Sequence, residues 1–541
     1  MVRLHISDGF RSSMTWLHTW AGIGASCLLF MIFWMGSLSV FDSEIDQWMK
    51  PELRVTAPTE EFQYGPVFER LLEGEAHGAT RMYISAPGKR DPLGYFFYRN
   101  KGGENVRGRF DPATLEEVEV TDSYAGTSFF YPFHYSLHIP QGIGYWVVGF
   151  CAMAMLVLMV SGIFIHRKIV ADFFTFRPQK ALRRSTLDLH NLSSLVALPL
   201  HILFPLTGLM IFATIYFPWS YNVVYGGDDA QLNRDAGRAG LEASGEPLNA
   251  KLDIDAIVGQ ALSRWQSAEP GVEHRADSVG LELAGDANAY VIVREVFPSR
   301  AVSMSKNVLS VSVATGAILA ESNAGPAQSA YAWLSGAHYI QFDSRALRWL
   351  YFAGGLLGSV MIASGLMFWM QSRIRKGVID PKSVRVVRGL AVGSVSGIIL
   401  ASGAYLVVNR MLPAEAAAFG LGRAGLEVSV FYLVWVLTYA HAALRGKTSW
   451  AEQSWAIGAV GIAAVFLNWV STGDHLVATV SDRVWPIAGM DIVLIAGSAA
   501  AVWSALKLAQ RQPTVQRPSK EQPEAFDQAA ARAIAATEPA E

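Results

Sequence analysis

Seven of the twelve histidines in this sequence lie in or beside the first four of its long apolar runs, where an ionisable side chain is costly and marks a candidate functional site. They are His18, His134, His138, His166, His190, His201 and His338. A lone histidine of this kind is more often a hydrogen-bonded contact between helices, but these seven group at two depths. Because neutral imidazole ligates haem iron and other transition metals, the grouping predicts a redox cofactor held by histidines.

The first group lies close to basic residues. His18 follows Arg11 by seven residues and His190 follows Arg184 by six, so at about 1.5 Å per residue both lie about 9–10 Å inward of a charged anchor. The two side chains are therefore predicted to meet at one depth. His166 directly precedes a basic pair, which leaves a ligand and an interfacial residue as equal interpretations.

The second group is His134, His138, His201 and His338. His201 follows His190 by eleven residues, which in a continuous helix is a turn of about 1100° and a rise of about 16 Å. One helix would then point two histidines the same way at two depths, as two stacked b-type haems require. Zinc or copper is less favoured because acidic or thiolate co-ligands are missing from the spans. A proton pathway is disfavoured by the scarcity of Asp and Glu there.

Composition indicates which elements position these side chains. The chain of 541 residues is 51% hydrophobic and only 17% charged, whereas soluble proteins carry roughly a quarter charged residues. The net charge of −2 offers no basic field for nucleic acid. Cys27 and Cys151 lie inside apolar runs, and the sequence has no CxxCH, Walker or nucleophile-elbow motif. Any enzymatic activity is therefore expected to come from a bound redox cofactor.

Eight apolar runs are long enough to cross a bilayer, which takes about 20 residues. They cover residues 14–41, 143–165, 187–217, 346–370, 390–408, 426–444, 454–470 and 487–508. The loops after the second and fourth runs are rich in Lys and Arg, which predicts that both termini are cytoplasmic. We interpret the first run as an uncleaved anchor. The long segments 42–141 and 218–345 then lie outside, in the periplasm if the membrane is a bacterial inner membrane.

Each long segment is predicted to be a small α+β domain. The first has a helical stretch at 65–72 and strand patterns at 81–85, 94–98, 106–110 and 118–121; the second has a helix at 252–265 and strands at 289–294 and 308–313. The predicted divisions are 1–41, 42–141, 142–217, 218–345, 346–371, 372–509 and a disordered cytoplasmic tail at 510–541.

An internal repeat organises the first four runs. The first and third open with Trp16-Leu17-His18 and Asp188-Leu189-His190, and the second and fourth carry Ser161-Gly162 and Ser364-Gly365. Each half is therefore helix, outer domain, helix, and the last four runs form an appended bundle. The predicted fold is an all-α polytopic membrane protein with eight transmembrane helices, a four-helix haem-binding core, an appended four-helix bundle and two periplasmic α+β domains.

Five motifs together resemble the PepSY-associated transmembrane helix family over about residues 10–375. They are Trp16-Leu17-His18-Thr19-Trp20-Ala21-Gly22, Phe133-His134-Tyr135-Ser136-Leu137-His138, the stretch from Ser161 to Pro178, Asp188-Leu189-His190-Asn191 with Leu198-Pro199-Leu200-His201, and Ala337-His338-Tyr339 with Arg348-Trp349-Leu350-Tyr351. The resemblance implies an inner-membrane dihaem reductase, with relatives near siderophore-uptake systems that reduce ferric iron at the periplasmic face. The outer segments then resemble PepSY domains.

The sequence leads to one functional prediction with an open ligand choice. His18 and His190 are predicted to ligate an inner haem b, with His166 in reserve. The outer haem b is predicted to take two of His138, His201, His338 and His134. The repeat favours pairing His138 with His338, whereas the spacing from His190 favours His201, and that conflict stays open. Electrons would pass from a cytoplasmic flavoprotein or quinol, through both haems, to a ferric siderophore or other ferric chelate.

Two rival functions are weighed against this prediction. In the first, the chain is a non-enzymatic sensor or protease-modulating membrane protein whose histidines are structural. In the second, it transports the iron chelate itself, although the last four runs are too apolar to suggest a polar cavity. The lipid bilayer is a partner in every interpretation, nucleic acid in none, and assembly into a homo-oligomer is left open.

Overall fold

Long apolar helices are the largest elements of the chain in this computed structural model, which describes residues 7–55, 61–165, 176–295, 302, 304, 307–322, 325–340, 344–375 and 380–510. The helices are α1 (Asp8–Ser39), α2 (Asp42–Met49), α3 (Gly65–Glu73), α4 (Tyr131–Ser136), α5 (Gln141–Ile165), α6 (Leu182–Val196), α7 (Leu198–Ile211), α8 (Ala213–Tyr216), α9 (Ser220–Tyr225), α10 (Asp229–Asp235), α11 (Ile254–Ala268), α12 (Pro326–Tyr339), α13 (Arg345–Arg375), α14 (Pro381–Val392), α15 (Ile398–Met411), α16 (Arg423–Arg445), α17 (Ser449–Thr472), α18 (Leu476–Ser481) and α19 (Trp485–Gln510). The strands are β1 (Arg81–Ser85), β2 (Gly94–Arg99), β3 (Asn105–Phe110), β4 (Ala276–Glu282), β5 (Tyr290–Glu295), β6 (Val308–Ser312) and β7 (Ile318–Glu321). Short π-helical segments, Ala125–Phe130 and Gly393–Gly397, precede α4 and join α14 to α15.

Within the described ranges, seven helices are long and apolar enough to cross a membrane, and the number is eight if the bent pair α6–α7 counts as one span. We name α1, α5, α6–α7 and α13 the core bundle, and α14–α15, α16, α17 and α19 the second bundle. The end of the core bundle that leads into the strands is the sheet end, and the opposite end, where α19 finishes, is the tail end.

Glycines bring α13 close to α1 at the centre of the core bundle. A Cβ atom on Gly355 would lie 2.4 Å from the Ser37 hydroxyl, and one on Gly358 would lie 2.4 Å from the Phe33 ring. Such close approach is how helices associate in lipid, where apolar side chains gain little by leaving their surroundings. The apolar runs therefore form a packed bundle rather than independent spans.

The third span is broken, which overturns one sequence-based inference. Helices α6 and α7 meet at 67° around Ala197, whose backbone leaves the helical region at φ −104° and ψ 16°. Pro199 lies in the first turn of α7, where its missing N–H is tolerated. The prediction that His190 and His201 share one face assumed a continuous helix and is therefore wrong.

The two long segments share one antiparallel sheet of seven strands, in the order β3-β2-β1-β4-β5-β6-β7. The central pairing joins β1 to β4, with Arg81 opposite Glu282 and Ser85 opposite Ser278. Two separate α+β domains were predicted, but their strands complete each other's edges, as exposed edges favour. The strand predicted at 118–121 is absent from that described segment. The preceding residue, Glu117, forms an isolated bridge to Phe110. The sequence prediction missed β4 and β7.

The second bundle is fastened to the core through polar groups at the sheet end. The Trp48 indole donates to a carboxylate oxygen of Asp491 at 2.8 Å, and Arg54 pairs with Asp474. Ser123 donates to the fully buried Glu427 carboxylate at 2.6 Å. Buried charges persist only when they are paired in this way, so the bundle is an integral part of the fold.

Candidate haem site

The tail-end histidines face each other across the core bundle. The ring centres of His18 on α1 and His190 on α6 are 6.3 Å apart, with the planes at 77°. Nδ1 of His18 lies 3.0 Å from the Leu158 carbonyl, and Nδ1 of His190 lies 2.8 Å from the Met361 carbonyl. Since a carbonyl only accepts, both rings carry the proton on Nδ1, and Nε2 carries the lone pair that a metal needs.

These two rings border the tail-end cavity, which has a volume of about 400 Å³ and takes residues from all four spans of the core bundle. Its wall is mostly apolar, with a few polar groups contributed by Thr15, Thr19, Ser26, Asn191 and Ser194. Cofactor sites have this size and character.

The sheet-end pair is His134 and His338, whose ring centres are 5.9 Å apart with the planes at 25°. Nδ1 of His134 lies 2.8 Å from the Ile32 carbonyl. Nδ1 of His338 lies 3.0 Å from the Thr207 hydroxyl, whose own proton goes to the Leu203 carbonyl at 2.6 Å. Both rings are therefore assigned the same tautomer as the tail-end pair.

These rings border the sheet-end cavity, of about 350 Å³, whose wall includes Tyr131, Tyr135, Tyr145, Tyr216 and Tyr339. Burial, with the neighbouring His134 second, lowers the pKa of His338 to about 3. Burial also lowers the pKa of His134. Both imidazoles are thus neutral at physiological pH, which is the form that binds metal.

A glycine lies under each of the four rings. A Cβ atom would come within 2.7 Å of His134 if placed on Gly36, within 3.0 Å of His338 on Gly208, within 3.3 Å of His18 on Gly162 and within 2.8 Å of His190 on Gly365. Real Cβ atoms essentially never approach closer than 3.0 Å, and 3.0–3.4 Å is already tight. A side chain on Gly36 or Gly365 would therefore force the ring to shift, and one on Gly208 or Gly162 would require the ring to give by a few tenths of an ångström.

The glycine under His134 gives a testable prediction. Gly36→Ala should push the imidazole out of place and destabilise the fold by about 1–3 kcal/mol, as overpacking does. Gly24→Ala on the same helix is the matched control, because a Cβ atom there meets nothing within 4 Å and alanine favours a helix by up to about 1 kcal/mol. Thermal unfolding followed by circular dichroism checks the pair. Equal melting temperatures for Gly36→Ala and Gly24→Ala would contradict the conclusion that the position of the His134 ring depends on a glycine at residue 36.

The two histidine pairs obey the internal repeat. His18 and His190 are 172 residues apart, and so are Gly36 and Gly208, the glycines that lie under the sheet-end rings. The carbonyls that anchor His18 and His190, those of Leu158 and Met361, are 203 residues apart, and the sheet-end histidines are 204 apart. Each half thus supplies one imidazole to each pair.

The remaining candidates lie elsewhere. His138 uses both ring nitrogens, at 3.0 Å from the Tyr432 hydroxyl and 2.9 Å from the Phe129 carbonyl, and joins the core to the second bundle. His201 is fully buried, its Nε2 donates to the Gly354 carbonyl at 3.1 Å, and it is not among the described residues that line either cavity. The repeat-based pairing of His138 with His338 was off by four residues, and His166 lies outside the described residues.

The separation within each pair suits a haem iron that the two imidazoles would hold between them. An imidazole nitrogen bonds a metal at about 2.0–2.1 Å, and the ring centre lies about 1.1 Å further, so opposed ligands place ring centres about 6.2–6.4 Å apart. The observed separations of 6.3 and 5.9 Å are close to this value. Among the described residues, no group of three or more His, Cys, Asp or Glu forms a metal-ion site.

The two cavities are separated by a single layer of side chains. Leu29 and Met155 line both cavities and are 2% and 1% exposed. Ile32, whose carbonyl anchors His134, follows His18 by fourteen residues on α1, or about 21 Å along the helix. The pairs are therefore spread over much of the roughly 30 Å hydrocarbon layer with only a thin apolar wall between their cavities.

Sequence reasoning missed the groups that hold the rings. The four glycines under the rings and the carbonyls that accept from Nδ1 lie on a different helix from the histidine in each case, so only the fold reveals their role. The Ser-Gly pairs were recognised as part of the repeat, and that repetition was the available signal. Asp188 was also missed: it is buried two residues before His190 and accepts from Arg177 at 2.9 Å and pairs with Arg184 at 3.3 Å, which fixes the start of α6.

Comparison with known proteins identifies the family to which this architecture belongs. The family model described as the PepSY-associated TM region matches residues 15–372, which include both histidine pairs. The uncharacterized protein PA4219 of Pseudomonas aeruginosa is 25% identical over 374 residues, which cover 64% of this chain and 86% of that protein. The match to the family model extends over more than half of the sequence and ends before the second bundle. The chain is a multi-pass membrane protein and belongs to the PepSY-associated transmembrane family.

Proposed function

We propose that the chain is a dihaem b oxidoreductase that carries electrons through the membrane and reduces a ferric chelate at its sheet end. The observation that carries the proposal is the pair of stacked sites: two opposed imidazole pairs, each on an apolar cavity, one at each end of a single bundle. A haem bound at each site supplies one-electron chemistry at a fixed depth.

The residues of the chain have clear tasks in this proposal. The carbonyls of Leu158, Met361 and Ile32 orient the imidazoles through Nδ1, which also raises the basicity of Nε2. Leu29 and Met155 exclude water between the sites, because both are almost completely buried. Ferric iron at the sheet end gains one electron and becomes ferrous, and no proton has to cross the apolar wall.

Orientation follows from the basic residues of the tail end. Arg183, Arg184, Arg373 and Arg375 lie beside α6 and α13 there, which favours a cytoplasmic tail end and a periplasmic sheet in a bacterial inner membrane. The electron donor is then a cytoplasmic flavoprotein or quinol that reaches the tail-end cavity. Its polar groups, Thr15 and Asn191 among them, offer hydrogen bonds to such a donor.

The two rivals make different demands on the same geometry. A transporter needs a passage, whereas the buried Leu29–Met155 layer closes the route between the cavities. A sensor with structural histidines needs no opposed rings over cofactor-sized cavities. The pairing geometry therefore favours the redox proposal over both.

A reoxidation experiment tests the proposed activity. The purified protein, reduced with dithionite and freed of excess reductant under argon, should lose its reduced haem absorbance when a ferric chelate is added. One ferrous ion should form per haem oxidised, as measured with a ferrous-specific dye. The gallium(III) form of the same chelate is the control, because it binds alike but accepts no electron. A reduced spectrum that persists with ferric chelate would contradict the proposal.

A further inference from the structure

A third cavity, of about 360 Å³, lies at the sheet end outside both histidine sites. Its wall combines α2, the loop between β1 and β2, and the first turns of α13 and α19. We name it the arginine cavity, because Arg90, Arg345 and Arg348 line it together with Lys89.

The cavity carries an excess of positive charge. Among the described residues that line it, Glu44 is acidic, whereas Arg90, Arg345 and Arg348 each contribute a guanidinium group. Arg90 donates to Glu44 at 2.7 Å and to Asp42 at 3.0 Å, and Arg348 also pairs with Glu44. Burial raises the pKa of Glu44, but Arg90 and Arg348 together lower it below its usual range, so the carboxylate is ionised. The exposed Arg345 at the rim is left to attract a further anion.

Arg348 supplies an independent sign of a ligand. The residue is 5% exposed, and its Nε lies buried with no hydrogen-bond partner among the described residues. An unsatisfied N–H on a buried guanidinium is costly, and an anionic oxygen in the cavity would satisfy it.

Aromatic side chains form part of the remaining wall, beside aliphatic ones such as Leu38 and Met490. The ring centres of Phe41 and Trp349 are 4.8 Å apart, and those of Phe41 and Phe352 are 5.5 Å apart. The guanidinium carbon of Arg348 lies 5.5 Å from the centre of the Phe41 ring. Trp485 adds a further aromatic face from α19. Cations beside a cluster of tilted and edge-to-face aromatic rings suit an anion carried on an aromatic body.

The arginine cavity adjoins the sheet-end histidine site. Phe41 and Glu44 line the arginine cavity, whereas their near neighbours on the chain, Val40 and Asp42, line the sheet-end cavity. On α13, Arg348 faces the first cavity and Tyr351 faces the second. The two cavities are thus separated by about one helix thickness, on the order of 10 Å.

The arginine cavity does not follow the internal repeat. At the 203-residue offset that relates α5 to α13, the counterparts of Arg345 and Arg348 are Gly142 and Tyr145, which carry no charge at neutral pH. One wall comes from Trp485, and α19 has no counterpart in the repeat. The second bundle therefore completes a binding site on one side only.

We propose that the arginine cavity binds the ferric substrate as an anionic chelate with an aromatic body, of the catecholate or hydroxybenzoate class. The proposal rests on the proposed function for the reduction itself: iron(III) in the bound chelate gains one electron from the sheet-end site and becomes iron(II), and no covalent bond of the chelate breaks. Binding as such needs only the cavity.

Binding of a redox-inert probe tests the proposal separately from reduction. Gallium(III) tris-catecholate should quench the tryptophan fluorescence of the full-length protein in phosphatidylcholine nanodiscs. Arg345→Glu should weaken this binding about tenfold or more by charge reversal. Gly489→Leu should do the same by filling the cavity, since a Cβ atom there meets nothing within 4 Å. Lys251→Glu, exposed outside the cavity, and Gly497→Leu, exposed on the same helix, are the matched controls and should bind normally.

Three results would overturn the proposal. The first is that both cavity variants bind the probe like the wild type. The second is that a neutral gallium hydroxamate binds equally well. The third is that phosphatidylglycerol in the nanodiscs displaces the probe, which would make the site a lipid site. Using two variants guards against a folding defect in one. If the probe binds as expected but the protein contains no haem, the proposed function fails while the binding site stands.

Discussion

The variant His338→Ala is expected to contain about one haem per chain instead of about two, because in the proposed function His338 would be one of the two histidines that hold the sheet-end haem. His134→Ala should do the same, since the two rings face each other at 5.9 Å. The pyridine haemochrome assay measures the ratio of haem to protein. The spectrum of the remaining haem should match the tail-end site, whose residues lie beyond the Leu29–Met155 layer.

His138→Ala and His201→Ala are the controls for this result. His138 is committed to Tyr432 and Phe129, and His201 donates to Gly354, so both variants should keep about two haems while losing about 1–3 kcal/mol of stability. Loss of a haem in His201→Ala with full retention in His134→Ala would contradict the assignment of the sheet-end pair.

Electron transfer across the membrane is expected to fall by about two orders of magnitude or more in His190→Ala, because without the tail-end haem the remaining site lies on the order of 20 Å further from the donor side. The assay uses proteoliposomes with reductant inside, a ferric chelate outside, and a dye that reports ferrous iron outside. The sheet-end haem should still be present and reducible by dithionite in detergent.

His441→Ala is the matched control for the transmembrane assay. His441 pairs with Glu452 at 3.0 Å in the second bundle and lines neither histidine cavity in the described chain. Its replacement should leave the rate unchanged within about twofold, since exposed ion pairs contribute little. If His190→Ala and His441→Ala transferred electrons equally well, the tail-end site would have no part in the path.

The co-location of His18 and His190 was predictable from sequence because each position could be measured from a charged anchor within one uninterrupted helical stretch. The pairing of His134 with His338 at the sheet end was not predictable in this way. His134 and His338 lie on the short helices α4 and α12, outside the spans, so counting along a span says nothing about where they meet. Because of the bend at Ala197, the calculation that related the depth of His190 to that of His201 does not hold.

The strands show the same division between local and non-local information. The patterns around β1, β2, β3, β5 and β6 predicted those strands, because alternation of side chains is a local property. The pairing of β1 with β4 joins residues about 200 positions apart, as Arg81 opposite Glu282 shows, and no local pattern specifies it. One sheet therefore formed where two domains were predicted, and the site-bearing spans are tied together above it.

The central claim is that the two histidine pairs hold two haems, and the absorbance spectrum of the purified wild-type protein tests it most directly. We expect a Soret peak, sharpened α and β bands after dithionite reduction, and a pyridine haemochrome ratio of about two haem b per chain. Low-spin ferric signals in electron paramagnetic resonance should accompany them, as two imidazole ligands require. A folded, colourless protein expressed with haem supplied would contradict the account.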